Sequence, residues 1–219
     1  MSTFIVYSVP GSPFGRSVLA VLEEKRAAYR LAAVSPAAIK SGGHLALHPF
    51  GRVPVLEHDG FILYETQAIL RYLDRVLATP SFTPKDARAA ARMDQIMNVS
   101  DWYLFQGVAN VIAFQRVIGP KVLGLPTDEA AIAAAMPKAH VVFAELGRLL
   151  GEQNYLAGDS ASLADFLVAP QIDFFVETPE WEPLMGPHAN LQNWHARMIA
   201  RPSLRATTWE AVAKMAQAA

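Results

Sequence analysis

The strand-like segments of this sequence all lie before residue 65, and this confinement limits the folds open to the chain. Thr3–Tyr7 is β-branched and aromatic, and the turn residues Pro10 and Gly11 end it. From Pro13 to Arg26 apolar residues recur at helical spacing, and Tyr29–Val34 is a second short strand. Two strands joined by a helix pair in parallel, because the crossover returns the chain in its original direction.

A hairpin and a further helix complete this N-terminal pattern. Val53–Glu57 and Phe61–Tyr64 have strand composition, and Asp-Gly between them is a turn signal. Thr66–Leu77 has a helical apolar face, whereas the polar, Gly-rich Ser35–His48 predicts a loop with one irregular helical turn. The order β-α-β-α-β-β-α predicts an α/β domain over residues 1–78 with a four-stranded mixed sheet, which is the thioredoxin-like plan.

The remainder of the chain predicts a second, all-α domain. Residues 79–86 contain Pro80 and Pro84 and show no periodicity, so we expect a linker there. Residues 87–219 carry helical patterning without strand signals. Ser162 and Asp165 have the spacing of a capping box at the start of a buried helix. The expected helices of this domain are Ala87–Val117, Glu129–Leu150, Leu163–Phe175, Gln192–Ile199 and Thr208–Met215.

Composition excludes several classes of function. The chain has no cysteine, which rules out a disulfide scaffold, a cysteine zinc site and a protein-borne thiol redox couple. Its net charge is -1, so nothing favours nucleic acid or an anionic membrane as partner. It has no secretory signal and no apolar run long enough to span a membrane. We therefore expect a cytoplasmic protein with no metal site.

The corner between the first strand and the first helix poses a chemical question. In a thioredoxin-type unit this corner carries Cys-x-x-Cys, with one sulfur at the helix N-terminus. Here the two positions are Ser12 and Gly15. A helix N-terminus lowers the pKa of a thiol placed there, because its unpaired N–H groups and dipole stabilise the thiolate. The chain supplies no thiol, so we expect a ligand to bring it.

Four blocks of the sequence stand out, namely Pro10–Phe14, His48–Leu56, Leu63–Ile69 and Ser162–Phe166. Together they resemble the cytosolic glutathione transferases, in their serine-dependent, phi- and theta-like form. The resemblance covers residues 3 to about 205 and implies that glutathione is the thiol-bearing co-substrate, with no further cofactor.

For the thiolate, the resemblance implies that Ser12 donates its hydroxyl hydrogen. The structural alternative for Ser12 is a plain helix N-cap, with Pro13 at the first helical position. Tyr7 is the rival donor, because tyrosine-dependent classes place theirs near the end of this strand; its alternative is a core aromatic. Arg16 either assists the thiolate electrostatically or is a solvated surface charge.

The resemblance also implies how the rest of glutathione is held. A cis Val53-Pro54 bond would direct the Val53 backbone toward an extended peptide. Thr66 and Glu65 would hold the γ-glutamyl carboxylate and ammonium, although Thr66 also suits an N-cap. The glycyl carboxylate would be bound by basic side chains, for which the candidates are Lys40, His44 and Arg52.

Two further sets of residues follow from the resemblance. Phe50 is expected to contact a second copy of the chain in a homodimer, or else to pack under its own hairpin. An apolar second substrate would be contacted by the first long helix of the α domain and by the chain's end. The candidates, each of which could instead be a core side chain, are Phe14, Trp102, Phe105, Gln106, Phe114 and Trp209.

The resemblance and these residues predict an enzyme that conjugates glutathione to small apolar electrophiles by aromatic substitution or conjugate addition, with hydroperoxide reduction as a further activity. The alternatives are a non-catalytic glutathione- or ligand-binding protein on the same fold and a specialised glutathione-dependent isomerase or dehalogenase.

Overall fold

The computed structural model describes residues 3–77 and 79–218. Its four-stranded sheet has the order β2-β1-β3-β4, with β1 parallel to β2 and the other two pairs antiparallel. In the sheet's register Val6 lies between Leu31 and Leu56. The thioredoxin-like prediction is confirmed. Its elements are β1 (Phe4–Ser8), α1 (Pro13–Glu24), β2 (Tyr29–Ala33), α2 (Gly42–Leu47), β3 (Val55–His58), β4 (Phe61–Tyr64) and α3 (Thr66–Val76).

One face of this sheet forms the core of the N-terminal part. Alternate residues of β1, namely Phe4, Val6 and Ser8, are buried, because successive strand side chains point to opposite faces. Helices α1 and α3 pack against each other and contribute apolar side chains such as Leu19 and Ile69. Burial of this face fixes the position of β1, and therefore of the corner that follows it.

The chain between α3 and the next helix is anchored by a buried cation. The Lys25 ammonium donates to Asp74 Oδ1 at 2.7 Å and to the carbonyls of Leu77 and Pro80 at 2.6 and 2.5 Å. The Phe82 amide donates to the same Asp74 oxygen at 2.8 Å. Leu77, Pro80 and Phe82 are thus held by specific hydrogen bonds, which the irregular sequence of this region does not indicate.

We expect Lys25→Ala to lower the free energy of unfolding by about 3 kcal/mol, because it leaves the buried Asp74 carboxylate without its cation. The measurement is denaturant unfolding followed by circular dichroism. The control is Lys85→Ala, which removes an exposed lysine. Equal stability of the two variants would contradict the anchoring role of Lys25.

The residues from Thr83 to Ile199 form a second, all-helical unit, which confirms that part of the predicted fold class. At its centre every residue of α7 is buried. The helical elements are α4 (Ala87–Val99), its π-helical continuation Ser100–Ala109, α5 (Asn110–Ala113), a second π-helical stretch Phe114–Leu123, α6 (Glu129–Leu150), α7 (Leu163–Ile172), a 3-10 turn Asp173–Phe175, α8 (Trp181–Met185) and α9 (Ala189–Ile199).

The expectation of one continuous helix from Ala87 to Val117 is wrong. The helix is interrupted at Gln106 and Gly107, where Gly107 adopts a φ of 78°. The break is satisfied locally: the Gly107 amide donates to Asn110 Oδ1 at 2.6 Å, and the Lys138 ammonium donates to the Gln106 carbonyl. Apolar periodicity continues across the break, which is why the sequence pattern alone does not reveal it.

The capping box at the start of α7 is present as predicted. The Asp165 carboxylate accepts hydrogen bonds from the amide and the hydroxyl of Ser162, both at 2.7 Å. It also accepts from the Leu156 amide at 2.9 Å and from the Trp194 indole at 2.7 Å. Burial raises the pKa of Asp165, and these donors act in the opposite direction.

The C-terminal residues belong to the N-terminal unit. Residues from Ala200 onward, which include α10 (Pro202–Ala206) and α11 (Trp209–Ala218), group with the N-terminal unit rather than with Thr83–Ile199. The predicted α domain includes these residues because they follow its helices along the chain. The predicted boundaries 1–78, 79–86 and 87–219 stay a prediction. Ala78, the predicted end of the first domain, lies outside the described residues.

Candidate active site

Ser12 is the N-cap of α1 and is half-buried at the end of the corner that follows β1. Its hydroxyl oxygen accepts a hydrogen bond from the Gly15 amide at 3.1 Å. Its own amide donates to the Val9 carbonyl at 3.1 Å, which closes the turn. The hydroxyl hydrogen has no acceptor in the described part of the chain, so it can be donated to a ligand. The N-cap role of Ser12 is therefore compatible with a donor role.

Gly15 occupies the second cysteine position because no side chain fits there. A Cβ at Gly15 would lie 1.9 Å from Ser8 Oγ and 3.0 Å from Ser8 Cβ. Ser8 is itself buried beneath the first turn of α1. Close packing of α1 on β1 thus excludes the second thiol of a redox pair, and the corner presents one polar group at the helix N-terminus.

Tyr7, the rival donor, is engaged elsewhere. Its hydroxyl donates to Glu57 Oε2 at 2.7 Å. This hydrogen bond to a carboxylate, together with burial, raises the pKa of Tyr7. The Tyr7 side chain points to the face of the sheet opposite to that of Val6 and Ser8, because successive side chains of a strand alternate between the two faces. A donor to a thiolate would have to leave Glu57 first, so the geometry favours Ser12.

Arg16 is half-buried rather than a free surface charge. Its Nη2 donates to the Leu204 carbonyl at 3.1 Å, near the end of α10. Arg16 therefore ties the C-terminal segment to α1. Its positive charge still lies within the first turn of the helix that Ser12 caps.

A strained residue marks the start of α3. Glu65 has a φ of 70° and a ψ of 114° and is exposed, whereas Thr66 is buried as the first residue of the helix. A non-glycine residue in this backbone region costs about 1–3 kcal/mol and is found mainly at functional sites. Glu65 is the N-cap residue of α3, but its side chain makes no capping hydrogen bond to the first N–H groups of the helix. A carboxylate that is not used as a cap and helix N–H groups are therefore close in the sequence, which suits a ligand group that carries both charges.

The Val53-Pro54 peptide bond is cis, as the resemblance implies. Val53 is half-buried and lies just before β3. Neither its N–H nor its C=O has a hydrogen-bond partner within residues 3–77 and 79–218. This pair of backbone groups is therefore available to an extended ligand.

The basic residues that are candidates to bind the glycyl carboxylate lie in or beside the loop between α2 and β3. His44 is buried, and its Nε2 lies 2.7 Å from the Arg52 carbonyl, while the Arg52 side chain is exposed. The Lys40 ammonium is 3.3 Å from the Phe50 carbonyl. Phe50 is 65% exposed, and its ring lies 6.3 Å, centroid to centroid, from the ring of Tyr64 in β4. It therefore contacts its own hairpin while most of its surface stays exposed. His44 shapes this loop, whereas Lys40 and Arg52 present their charges to solvent.

Sequence reasoning missed His48 as a neighbour of the site. Its imidazole is buried, and the centroid of this ring lies 4.6 Å from the centroid of the Tyr64 ring. Tyr64 directly precedes Glu65 in the sequence. Burial lowers the pKa of His48, so the ring is held neutral. The signal was available in the sequence, where a histidine stands between the apolar Leu47 and Pro49, but burial depends on packing that no local pattern shows.

The second-substrate candidates divide between the two units. Phe14 and Trp209 belong to the N-terminal unit, where Trp209 lies against Gly11. Trp102, Phe105, Gln106 and Phe114 belong to the helical unit, where Trp102 is 67% exposed and Gln106 forms the helix break. Their common role as a pocket stays a prediction. Within the described residues no group of His, Cys, Asp or Glu could hold a metal ion, and no helix could cross a membrane.

Comparison with known proteins identifies related chains. The glutathione S-transferase N-terminal domain family matches residues 2–75, and the C-terminal domain family matches residues 109–202. A glutathione S-transferase of Hyoscyamus muticus is 32% identical over 199 residues, which cover 88% of this chain and 91% of that protein. The glutathione S-transferase hmp2 of Hypomyces subiculosus is also 32% identical, over 89% of this chain and 93% of its own length.

Solved structures agree with these relatives. Glutathione transferase F7 from Populus trichocarpa superposes with a TM-score of 0.84 at 26% identity, over 97% of this chain and 99% of that one. A glutathione S-transferase I bound with lactoylglutathione superposes with a TM-score of 0.82 at 26% identity, over 98% of both chains.

Proposed function

The chain belongs to the glutathione S-transferase family, and we propose that Ser12 is the residue with which this glutathione transferase stabilises the thiolate of its substrate. The serine-dependent, phi-like type fits the relatives named above. The observation that supports the proposal is the Ser12 hydroxyl, whose oxygen accepts from the Gly15 amide while its hydrogen stays available at the N-terminus of α1.

The chemistry follows from that geometry. A free thiol has a pKa near ~8.5, so only a few per cent is thiolate at neutral pH. One donated hydrogen bond and the positive end of α1 favour the charged form, and a pKa lowered by about two units corresponds to roughly 2.7 kcal/mol. The thiol proton passes to solvent. The thiolate then forms a carbon–sulfur bond with the electrophile, and either the leaving group departs or the added carbanion takes up a proton.

The rest of glutathione is proposed to bind along the neighbouring elements. The unpaired N–H and C=O of Val53 suit the backbone of an extended tripeptide. The Thr66 hydroxyl and the first N–H groups of α3 suit the γ-glutamyl carboxylate, and the Glu65 carboxylate suits its ammonium. The exposed charges of Lys40 and Arg52 suit the glycyl carboxylate at the other end of the peptide.

The second substrate, the homodimer and the location in the cell are also parts of the proposal. Small apolar electrophiles suit partly exposed aromatic candidates, which are Phe14 in the N-terminal unit and, considered separately, Phe105 and Phe114 in the helical unit. The exposed ring of Phe50 supports a contact with a second copy of the chain, because a phenylalanine in a loop gains stability from being covered. A cytoplasmic location is consistent with use of the cytosolic glutathione pool.

The direct test is isothermal calorimetry with glutathione, paired with turnover of a chlorinated nitroaromatic compound. We expect heat of binding at millimolar glutathione and turnover that depends on it. Binding without turnover of any of several electrophiles would support the non-catalytic alternative. Absence of binding would contradict the proposed site altogether.

We expect Tyr7→Phe to leave turnover within about 3-fold of wild type, a change below roughly 0.7 kcal/mol in transition-state stabilisation. The reason is that the Tyr7 hydroxyl donates to Glu57, so the thiolate does not depend on it. The measurement is kcat/KM across pH. A rise in the apparent thiol pKa on this substitution would transfer the donor role from Ser12 to Tyr7.

A further inference from the structure

Trp209 lies directly against the glycine that precedes Ser12. A Cβ built on Gly11 would lie 2.7, 2.8 and 2.9 Å from the indole atoms Cε2, Cδ2 and Cζ2. The fused edge of the indole therefore occupies the space above the Gly11 α-carbon. Gly11 has a φ of 84°, which other residues rarely adopt. The corner that contains Ser12 therefore continues into α1 after Ser12 and contacts the Trp209 indole at Gly11.

The segment that carries Trp209 is fastened to α1. The Arg201 guanidinium forms two hydrogen bonds of 2.8 Å with the Glu24 carboxylate at the end of α1, and Ser203 Oγ donates to Glu24 at 2.6 Å. Arg16 donates to the Leu204 carbonyl near the beginning of α1. The Arg201–Glu24 pair is largely shielded from solvent, with side-chain exposures of 24% and 14%. Trp209 follows these anchors by only a few residues.

Contacts beyond Trp209 fix the other end of the segment. Helix α11 packs on β2, where the Tyr29 hydroxyl lies 3.9 Å from Met215 Sδ and donates to Glu23 Oε1 at 2.6 Å. The indole is therefore held in place from both directions along the chain. Its position on Gly11 is determined by the packing of α10 and α11 rather than by the corner itself.

We propose that Trp209 is a positioning residue for the thiolate, which acts through Gly11 to hold the Ser12 hydroxyl in its donating position. This inference rests on the proposed role of Ser12. A corner that contains glycine has more conformational freedom than the same corner would have with any other residue. A displacement of about 1 Å of a group that takes part in a reaction can lower the rate roughly 10²-fold. The indole restricts that freedom at the residue next to the donor.

This role differs measurably from that of a pocket residue. A side chain that only contacts the electrophile changes the KM and rate for some electrophiles and leaves the thiol of bound glutathione unaffected. A residue that positions the thiolate donor changes the thiol pKa before any electrophile is present, and it reduces the rate by the same factor for every electrophile. The two roles can therefore be separated by titration of the binary complex.

The test is a pH titration of the thiolate absorbance in the complex with glutathione, carried out for wild type, Trp209→Leu, Trp209→Phe and Ser12→Ala. We expect Trp209→Leu to raise the thiol pKa by roughly one unit, since it keeps apolar bulk but removes the ring, and to lower kcat/KM about tenfold. We expect Trp209→Phe, which restores a flat ring, to recover most of the loss. Glu210→Ala, an exposed neighbour on α11, is the matched control and should resemble wild type.

The outcomes separate this inference from the one on which it rests. A thiol pKa that rises in Ser12→Ala but stays unchanged in Trp209→Leu overturns the inference and leaves the Ser12 role intact. An unchanged pKa in Ser12→Ala overturns both. A loss confined to bulky electrophiles makes Trp209 a pocket residue and also overturns the inference. If thermal unfolding shows Trp209→Leu to be unfolded, Trp209→Met takes its place under the same criteria.

Discussion

Replacing Ser12 with alanine should lower the rate of glutathione conjugation by about 10²-fold, because loss of a single donor to a reacting anion typically costs ~10²–10³ in rate. The same substitution should raise the pKa of the bound thiol, since the thiolate loses the hydrogen bond that stabilises it. The loss should therefore shrink as pH rises, when the thiol ionises without help. The measurement is kcat/KM from acid to alkaline pH.

A matched variant separates this effect from the N-cap role of Ser12. Alanine also removes the acceptor for the Gly15 amide, which costs about 1 kcal/mol of stability. Ser12→Asp keeps an equally good N-cap but presents a carboxylate, which cannot donate and repels a thiolate. We expect Ser12→Asp to be as stable as wild type and as inactive as Ser12→Ala. Activity close to wild type in either variant would remove Ser12 from the mechanism.

Asp165→Ala should destabilise the helical unit by about 5 kcal/mol, at the upper end of single-residue effects, because four buried donors lose their common acceptor. These donors are the Leu156 amide, the Ser162 amide and hydroxyl, and the Trp194 indole. The substitution also removes the Asp165 carboxylate from the capping box at the start of α7, a helix in which every residue is buried. The measurement is denaturant unfolding, or recovery of folded protein where the variant does not reach a native state.

Two further variants identify the cause of that loss. Asp165→Asn keeps the size of the side chain but turns an amide donor toward groups that also donate, so we expect most of the destabilisation to remain. Asp159→Ala, at an exposed site of the preceding loop, should change stability by less than about 0.5 kcal/mol. A fully stable Asp165→Asn would show that the hydrogen-bond pattern around this carboxylate matters less than its shape.

Local sequence signals were sufficient for much of the fold. The hairpin follows from Asp59-Gly60, and its strands β3 and β4 lie within three residues of the expected limits, because two-residue turns fix both conformation and register. Helix α6 begins at Glu129 and ends at Leu150 as expected, since its apolar periodicity is uninterrupted. The capping box of Ser162 and Asp165 is recognisable for the same reason: each of these features is encoded within a few residues.

Features that depend on distant contacts could not be derived in this way. The helix break at Gly107 depends on Asn110 and Lys138 as well as on the glycine itself. The short helices α8 and α10 carry too few residues to show a period. The return of the chain end onto α1 depends on the pairing of Arg201 with Glu24, which are far apart in sequence.

The candidate site shows the same division. The positions of Ser12 at the start of α1 and of Thr66 at the start of α3 follow from local patterns. The commitment of the Tyr7 hydroxyl to Glu57 arises from pairing between β1 and β3, and the positive φ of Glu65 arises from the connection of β4 to α3. Such backbone strain has no signature in residue type, because nearly any residue could occupy the position if the surroundings enforced it.

The chain keeps the polarised corner of a thiol enzyme and receives its sulfur from a bound tripeptide, and the ionisation of that sulfur is the quantity to measure. Ultraviolet absorbance of the glutathione thiolate, titrated against pH in the binary complex with the unmodified protein, reports it directly. The account predicts a pKa roughly two units below the ~8.5 of a free thiol. A bound thiol that titrates near ~8.5 while glutathione saturates the protein would contradict it.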